Sequence, residues 1–196
     1  MKAFISEKRL QRITSVVKSR QHSLRVVLEN VHDPHNVSAV FRTCDAAGVP
    51  KVSLIYNLEK FPKIGKKSSA SAFKWVEKER FNNVNECYES LKKEGFNIYA
   101  SSISNDAIDL YKLDFKTKIA IVLGNEHRGV SDEATKLADK KFKIPMNGMV
   151  QSLNVSVAAA IVLYEALRQR MKKKYYDKSE LDETMIEDLI EKWARK

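Results

Sequence analysis

Apolar and polar residues alternate along the chain in two rhythms. Within 6–20, Leu10, Ile13, Val16 and Val17 recur at helical spacing with basic residues on the other side, which predicts an amphipathic helix. RVVLENV (25–31) predicts a buried strand. DPHNVSAVFRTCDAAG opens on turn residues and closes at Gly48, the punctuation of a helix. KVSLIY (51–56) is the next strand, and 57–72 a basic, Ser-rich loop. WVEKERF reads as a short strand, NVNECYESLKKEG as a helix ended by Gly95, and NIYASS as a strand. KIAIVLG (118–124) is apolar after Lys118, ends in a Gly-containing turn and predicts a strand. SDEATKLADKK then predicts a helix capped by Ser131, KFKIPM a strand, and the Ala- and Val-rich stretch from about 152 to 172 a long helix. A polar gap, KYYDKSE, precedes a last amphipathic helix at roughly 180–194. Strand and helix in turn predict an α/β domain around a mostly parallel sheet. Residues 1–22 and 173–196 stand out as helical additions to a core domain of 23–172.

Charge adds a partner. Lys and Arg number 35 against 25 Asp and Glu, a net charge of +10, which favours a polyanion. The excess is clustered: residues 1–25 hold seven basic residues and one acid, and RQRMKKK (168–174) holds five basic residues and no acid. Nucleic acid fits this better than a merely solubilising surface. The two cysteines, Cys44 and Cys87, form no CxxC pair, so a reducing cytoplasm is expected. No apolar run approaches the ~20 residues that span a bilayer, and MKAFISEKRLQRI carries charge where a signal peptide needs an apolar stretch.

Ligands of open α/β sheets bind outside the carboxyl ends of the strands, and three such ends here carry unusual chemistry. The first places Asn36 and Arg42 on the helix that follows NVHDP; the second, LGNEHRGVS, places Glu126 between Gly124 and Gly129; the third is IPMNGMVQSLNVS. Each residue also has a plain reading. Asn36 could cap its helix, Arg42 could pair with a surface acid, Glu126 could be solvated, and the glycines could serve turn geometry. His32 and His35 lack the supporting ligands of a metal site, and His22 and His127 are expected to face solvent. There is no dinucleotide fingerprint, phosphate loop or nucleophile elbow, and Cys44 has no base beside it in sequence. MVQSLNVS crowds Gln151, Ser152, Asn154 and Ser156 into a helix start, more polar residues than capping requires.

Together ENVHDPHNVSAVFRTCDAAGV, IVLGNEHRGVS and IPMNGMVQSLNVSVAAAIVLYEALRQR resemble the three motifs of the SpoU-type RNA ribose 2′-O-methyltransferases, in the SPOUT superfamily. They cover about a third of the chain, in the family's order and spacing. SASAFKWVEKER (69–80) and the terminal helices are similar to the TrmH-like subgroup, which methylates a guanosine in the D-loop of tRNA.

The resemblance implies an α/β-knot whose C-terminal segment threads through a loop, against the usual avoidance of knots. It implies S-adenosylmethionine as cofactor, no metal, and a homodimer with the third-motif helix in the interface. Carried over by motif, Ser102 (or Ser101, given the YASSIS context), Gly124, Ile144 and Leu153 line the cofactor pocket. Asn36, Arg42, Glu126, Ser152 and Asn154 form the catalytic surface, with Arg42 the family's proposed activator of the hydroxyl. Arg9, Arg12 and Arg20, with Lys66, Lys67 and Lys74, and Arg168 and Arg170 from the long helix, are expected on tRNA phosphates. The alternatives are methylation of another tRNA position or of ribosomal RNA, and a non-catalytic RNA-binding protein of the same fold.

Overall fold

A computed structural model describes residues 5–64 and 72–196 of the protein. Seven strands form one sheet: β1 (Leu24–Glu29), β2 (Lys51–Ile55), β3 (Glu77–Phe81), β4 (Asn97–Ser101), β5 (Ile108–Asp109), β6 (Ile119–Leu123) and β7 (Lys140–Lys143). Every pairing is parallel, in the order β3-β2-β1-β6-β4-β7-β5. A parallel sheet needs both faces covered, and the residues of β1 and β6 are buried without a break.

Alternation sorts the two faces. Leu24, Val26 and Leu28, with Ile119, Ile121 and Leu123, pack beneath α2 (Pro34–Ala46), α3 (Ala72–Trp75) and α6 (Val155–Lys172). Val27, Ala120 and Val122 point the other way, against α4 (Val84–Lys93) and α5 (Asp132–Leu137). At one side α1 (Glu7–Ser19) and α7 (Glu183–Ala194) pack on each other through Ile13, Val17, Ile186 and Trp193, with Trp75 against them.

Some expected boundaries shift. The helix beginning at Asp132 stops at Leu137, because the chain must turn into β7 at Lys140. The long helix starts at Val155 rather than 152, since Asn154 is its cap and 151–153 lie outside any helix or strand. The last helix starts at Glu183, capped by Asp182. α3, β5 and the 3₁₀ turn Leu110–Lys112 are too short to show a period in the sequence.

Two of the basic residues expected on RNA are interior. Arg170 is 0 % exposed. It donates to the carbonyls of Phe115 (2.9 Å), Thr117 (2.8 Å) and Ser23 (3.2 Å), and to Gln21 Oε1 (3.1 Å) and Ser23 Oγ (2.7 Å). Arg20 is 2 % exposed, lies 5.3 Å from the Trp193 ring, pairs with Asp45 and donates to the Asp45 and Val49 carbonyls. A cation is buried at tolerable cost only when its donors find partners. Every guanidinium nitrogen of Arg170 does, whereas Arg20 Nε has no hydrogen-bond partner among the described residues. Both staple the amino-terminal edge of the sheet and are unavailable to phosphate. His22, expected in solvent, is half-buried beside them, and its Nε2 has no hydrogen-bond partner among the described residues.

Candidate active site

The site grows from the turn after β1. Asp33 accepts the His35 N–H (2.8 Å) and caps α2, and Pro34 follows at the first helical position. Asn36 is therefore not the cap. It lies in the first turn, 7 % exposed, facing the loop after β6. There the Glu126 carboxylate accepts the N–H groups of His32 (3.0 Å) and Asp33 (3.1 Å) and the Asn36 amide (2.9 Å). Burial alone would raise the Glu126 pKa, but the hydrogen bonds from Asn36 and the His32 and Asp33 amides outweigh it and hold the carboxyl below its ordinary value.

The chain of bonds continues. Asn36 Oδ1 accepts from Asn154 Nδ2 (3.0 Å), and Asn154 Oδ1 accepts from the Ser156 N–H (2.8 Å) and hydroxyl (2.6 Å). Glu126 can only accept, so Asn36 must turn its NH₂ toward it and its oxygen toward Asn154. Each amide is oriented by the next. The excess polarity of MVQSLNVS is thereby mostly explained: Asn154 caps α6 and Ser156 fixes the Asn154 amide. Ser152 and Gln151 are exposed in the approach to the helix.

Arg42 is exposed on the same helix as Asn36. Six residues of α-helix place it ~9 Å along and about a third of a turn round from Asn36. Glu126, Asn36 and Asn154 are thus joined directly, while Arg42, further along α2, and Ser152, two residues before Asn154, are exposed.

Ser102, Gly124 and Ile144 are each the first residue beyond β4, β6 and β7, three adjacent parallel strands. At ~4.8 Å between strands they form a shelf roughly 10 Å wide. Ser102 donates its N–H to the Phe142 carbonyl (2.8 Å), and its hydroxyl bonds Ser104 (2.9 Å). Ile144 and Leu153 are half-buried, and the loop between them holds the exposed Met149 and Val150. Gly124 has a sharper constraint than turn geometry. A Cβ there would lie 2.1 Å from the Gly129 carbonyl carbon and oxygen, so backbone passes where a side chain would stand.

Two side chains escaped sequence reasoning. Asn30, at φ 51°, accepts the Leu58 and Glu59 N–H groups (3.1 Å each) and donates to Asn57 (2.8 Å). Asn125 donates to the Asn30 carbonyl (2.8 Å) and accepts the His127 N–H (3.0 Å). They lock the β1 and β6 loops together. Asn in a turn is the available signal, but it does not tell which loops are joined.

Of the remaining basic residues, Arg9, Arg12 and Lys74 are exposed, and Lys66 and Lys67 lie outside the described residues. Arg168 is exposed and forked onto Glu165 (2.7 and 2.8 Å), which also accepts from Gln169 (2.8 Å). It borders a basic groove of about 420 Å³ with Lys112, Lys116, Lys172 and Lys173. Cys44 is buried, and that burial pushes its thiol pKa far up, which excludes it as a nucleophile. Among the described residues no group of three or more His, Cys, Asp or Glu could hold a metal ion, and no helix is long and apolar enough to cross a membrane.

Fold and site define a class: an open α/β domain with an oriented polar cluster across the carboxyl ends of its strands. Residues 23–164 match the SpoU rRNA Methylase family, and the chain belongs to that family. It is 44 % identical over 191 residues to a tRNA (guanosine(18)-2′-O)-methyltransferase of Thermus thermophilus, covering 97 % of this chain and 98 % of that one. Among solved structures, it matches the TrmH/SpoU tRNA modifying enzyme of A. aeolicus with a TM-score of 0.90 and 42 % identity, over 96 % of each chain. The SpoU methyltransferase AviRb of Streptomyces viridochromogenes, solved with AdoMet, shares the fold with a TM-score of 0.70 and 23 % identity, over 79 % of this chain and 59 % of AviRb.

Proposed function

We propose that the protein is an S-adenosylmethionine-dependent methyltransferase acting on the ribose 2′-OH of a D-loop guanosine in tRNA, position 18 by the name of the Thermus thermophilus relative. The observation that carries this reading is the Glu126–Asn36–Asn154–Ser156 chain, with Arg42 exposed further along the helix that carries Asn36, within a chain so similar over its whole length to an enzyme of that name.

The shelf fits the cofactor. Three neighbouring strand ends offer backbone hydrogen-bonding groups around Ser102 and Gly124, and Ile144 and Leu153 add apolar cover. S-adenosylmethionine held there supplies an electrophilic methyl group on a sulfonium. The chain's own residues act on the hydroxyl. Asn36, fixed through Glu126, and Asn154, fixed through Ser156, hold the ribose in line, and orientation of this kind is worth several kcal/mol. Arg42 stabilises the alkoxide as the proton leaves. A guanidinium hardly ever surrenders a proton, so Arg42 serves as a fixed cation and water accepts the proton. The exposed Ser152 faces the incoming nucleotide.

The exposed Arg9, Arg12 and Lys74, and Arg168 beside the basic groove, bind tRNA phosphates in this reading. The exposed Val157, Tyr164 and Met171 form one stripe of α6, at i, i+7 and i+14. That stripe supports a homodimer through the third-motif helix, acting in the cytoplasm where tRNA is found.

The test is transfer of a labelled methyl group from S-adenosylmethionine to purified tRNA, with the product nucleotide mapped. Label in a 2′-O-methylguanosine of the D-loop is expected. Label elsewhere in tRNA, or only in ribosomal RNA, replaces the target, and no label with a folded protein leaves a non-catalytic RNA-binding protein.

A further inference from the structure

A second cleft lies outside the cluster described above, at the carboxyl ends of β2 and β3. Its volume is about 420 Å³, within the ~300–1,000 Å³ range of small-molecule pockets. Leu54 lies at its base, Tyr56 and Phe61 form an aromatic wall, and Glu59, Lys60, Arg80 and Asn82 provide the polar rim. Tyr56 and Phe61 meet edge to face at 5.1 Å, and the Arg80 guanidinium lies over the Phe61 ring at 5.0 Å.

The cleft is tied to the catalytic turn. Tyr56 donates its hydroxyl proton to the Val31 carbonyl (2.9 Å), and Glu59 lies 3.4 Å from His32 and 2.8 Å from Arg128. His32 is one of the two residues whose backbone N–H meets Glu126. The sheet order sets three regions in a row: cleft at β3–β2, amide cluster at β1–β6, shelf at β6–β4–β7. With strands ~4.8 Å apart, the cleft sits one or two strands from the cluster, roughly 5–10 Å, on the side away from the shelf. That is the scale of the step from a ribose to its own base.

We infer that this cleft receives the guanine base of the nucleotide whose ribose is methylated, with Phe61 as stacking platform and Arg80 as the reader of its O6/N7 edge. The inference rests on the reading of the protein as a ribose methyltransferase. Arg80 already lies against the Phe61 ring, which marks a face that admits a flat partner. A base entering there exchanges the guanidinium's ring contact for a bidentate pair of hydrogen bonds, the fork geometry that matches guanine. Stacking on an aromatic ring accepts any base, so the choice of guanine falls to Arg80, assisted by Asn82 and Lys60 at the rim.

The test places 6-thioguanosine at the target position of a tRNA transcript and irradiates the complex. A crosslink to a peptide within 56–61 or 80–82 is expected. Phe61→Ala should remove that crosslink and raise KM for tRNA on the order of tenfold, and Phe61→Tyr should restore both. Arg80→Ala, on an exposed side chain, should lower the preference for guanosine over adenosine at the target by about tenfold, a ratio that a merely structural role would not move. Methyl transfer by the wild type with the crosslink elsewhere, or an unchanged base preference in Arg80→Ala, overturns the inference alone. Absence of methyl transfer by the wild type overturns the reading on which it rests.

Discussion

At the carboxyl end of the sheet, polar side chains bond one another and leave Arg42, Ser152 and Asn154 at the surface. The amino end is built from the same residue types to the opposite effect. There Arg20, Gln21 and Arg170 are sunk into the fold and spend their donors on carbonyls. Buried polar groups at both ends are mostly paired, the exceptions among the described residues being Arg20 Nε and His22 Nε2 at the amino end. The two ends differ in what is left over: at the amino end the Arg20 and Arg170 side chains are closed to ligands, and the carboxyl end presents oriented groups. Net charge therefore overstates the exposed positive surface, because some of its arginines are structural.

The largest expected effect tests the closed end. Arg170→Ala strands several carbonyls and should cost about 3–5 kcal/mol of stability, measured by urea unfolding. A loss below about 1 kcal/mol, accompanied by weaker tRNA binding, would move Arg170 to the RNA surface and break the contrast. Next is the open end. Arg42→Ala should lower kcat about 10²–10³-fold with the folded circular-dichroism spectrum kept. Asn154→Ala joins the two kinds of role, since it removes a helix cap at about 1 kcal/mol and also frees the Asn36 amide. Its kcat loss should exceed anything its melting shift explains. Arg9→Ala and Arg12→Ala should each reduce the salt slope of tRNA affinity by about 1 and leave the melting temperature alone. A slope unchanged in both would remove α1 from the interface.

The smallest effect is on pH. Burial lowers the His22 pKa from its ordinary 6.5, with Glu180 opposing and Arg20 assisting. The unfolded chain therefore takes up this proton at higher pH than the folded one. The contribution is present above about pH 6.5 and is lost as pH falls below it. Stability of the wild type should begin to fall there, before any carboxylate titrates, and His22→Gln should delay the fall. Glu126, also depressed, adds a second loss below its ordinary 4.5.

The α/β order was legible because β1 carries an apolar VVL segment, β6 is apolar throughout, and α2 and α4 carry turn residues at their starts. The three loops that build the site were legible as polar residues at strand ends. Their mutual bonds were not, since Asn36 and Asn154 lie 118 residues apart. Nor could Arg20 and Arg170 be separated from Arg9 and Arg12. All four sit in basic stretches, and only the packing of Trp193 on one and the carbonyls of Phe115 and Thr117 on the other set them apart. The threading of the chain rests on likeness to its relatives, because a periodicity carries no information about which loop a later segment passes through.

The Asn36–Asn154 hydrogen bond also sets a schedule for synthesis. A ribosome adding ~5–20 residues per second needs roughly 6–24 s to make the 118 residues between the two partners. During that interval the chain holds Asn36 and Arg42 but has no partner for the Asn36 carbonyl. A nascent chain thus cannot close the Asn36–Asn154 bond until Asn154 has left the tunnel, and a message truncated before codon 154 yields a chain that never closes it.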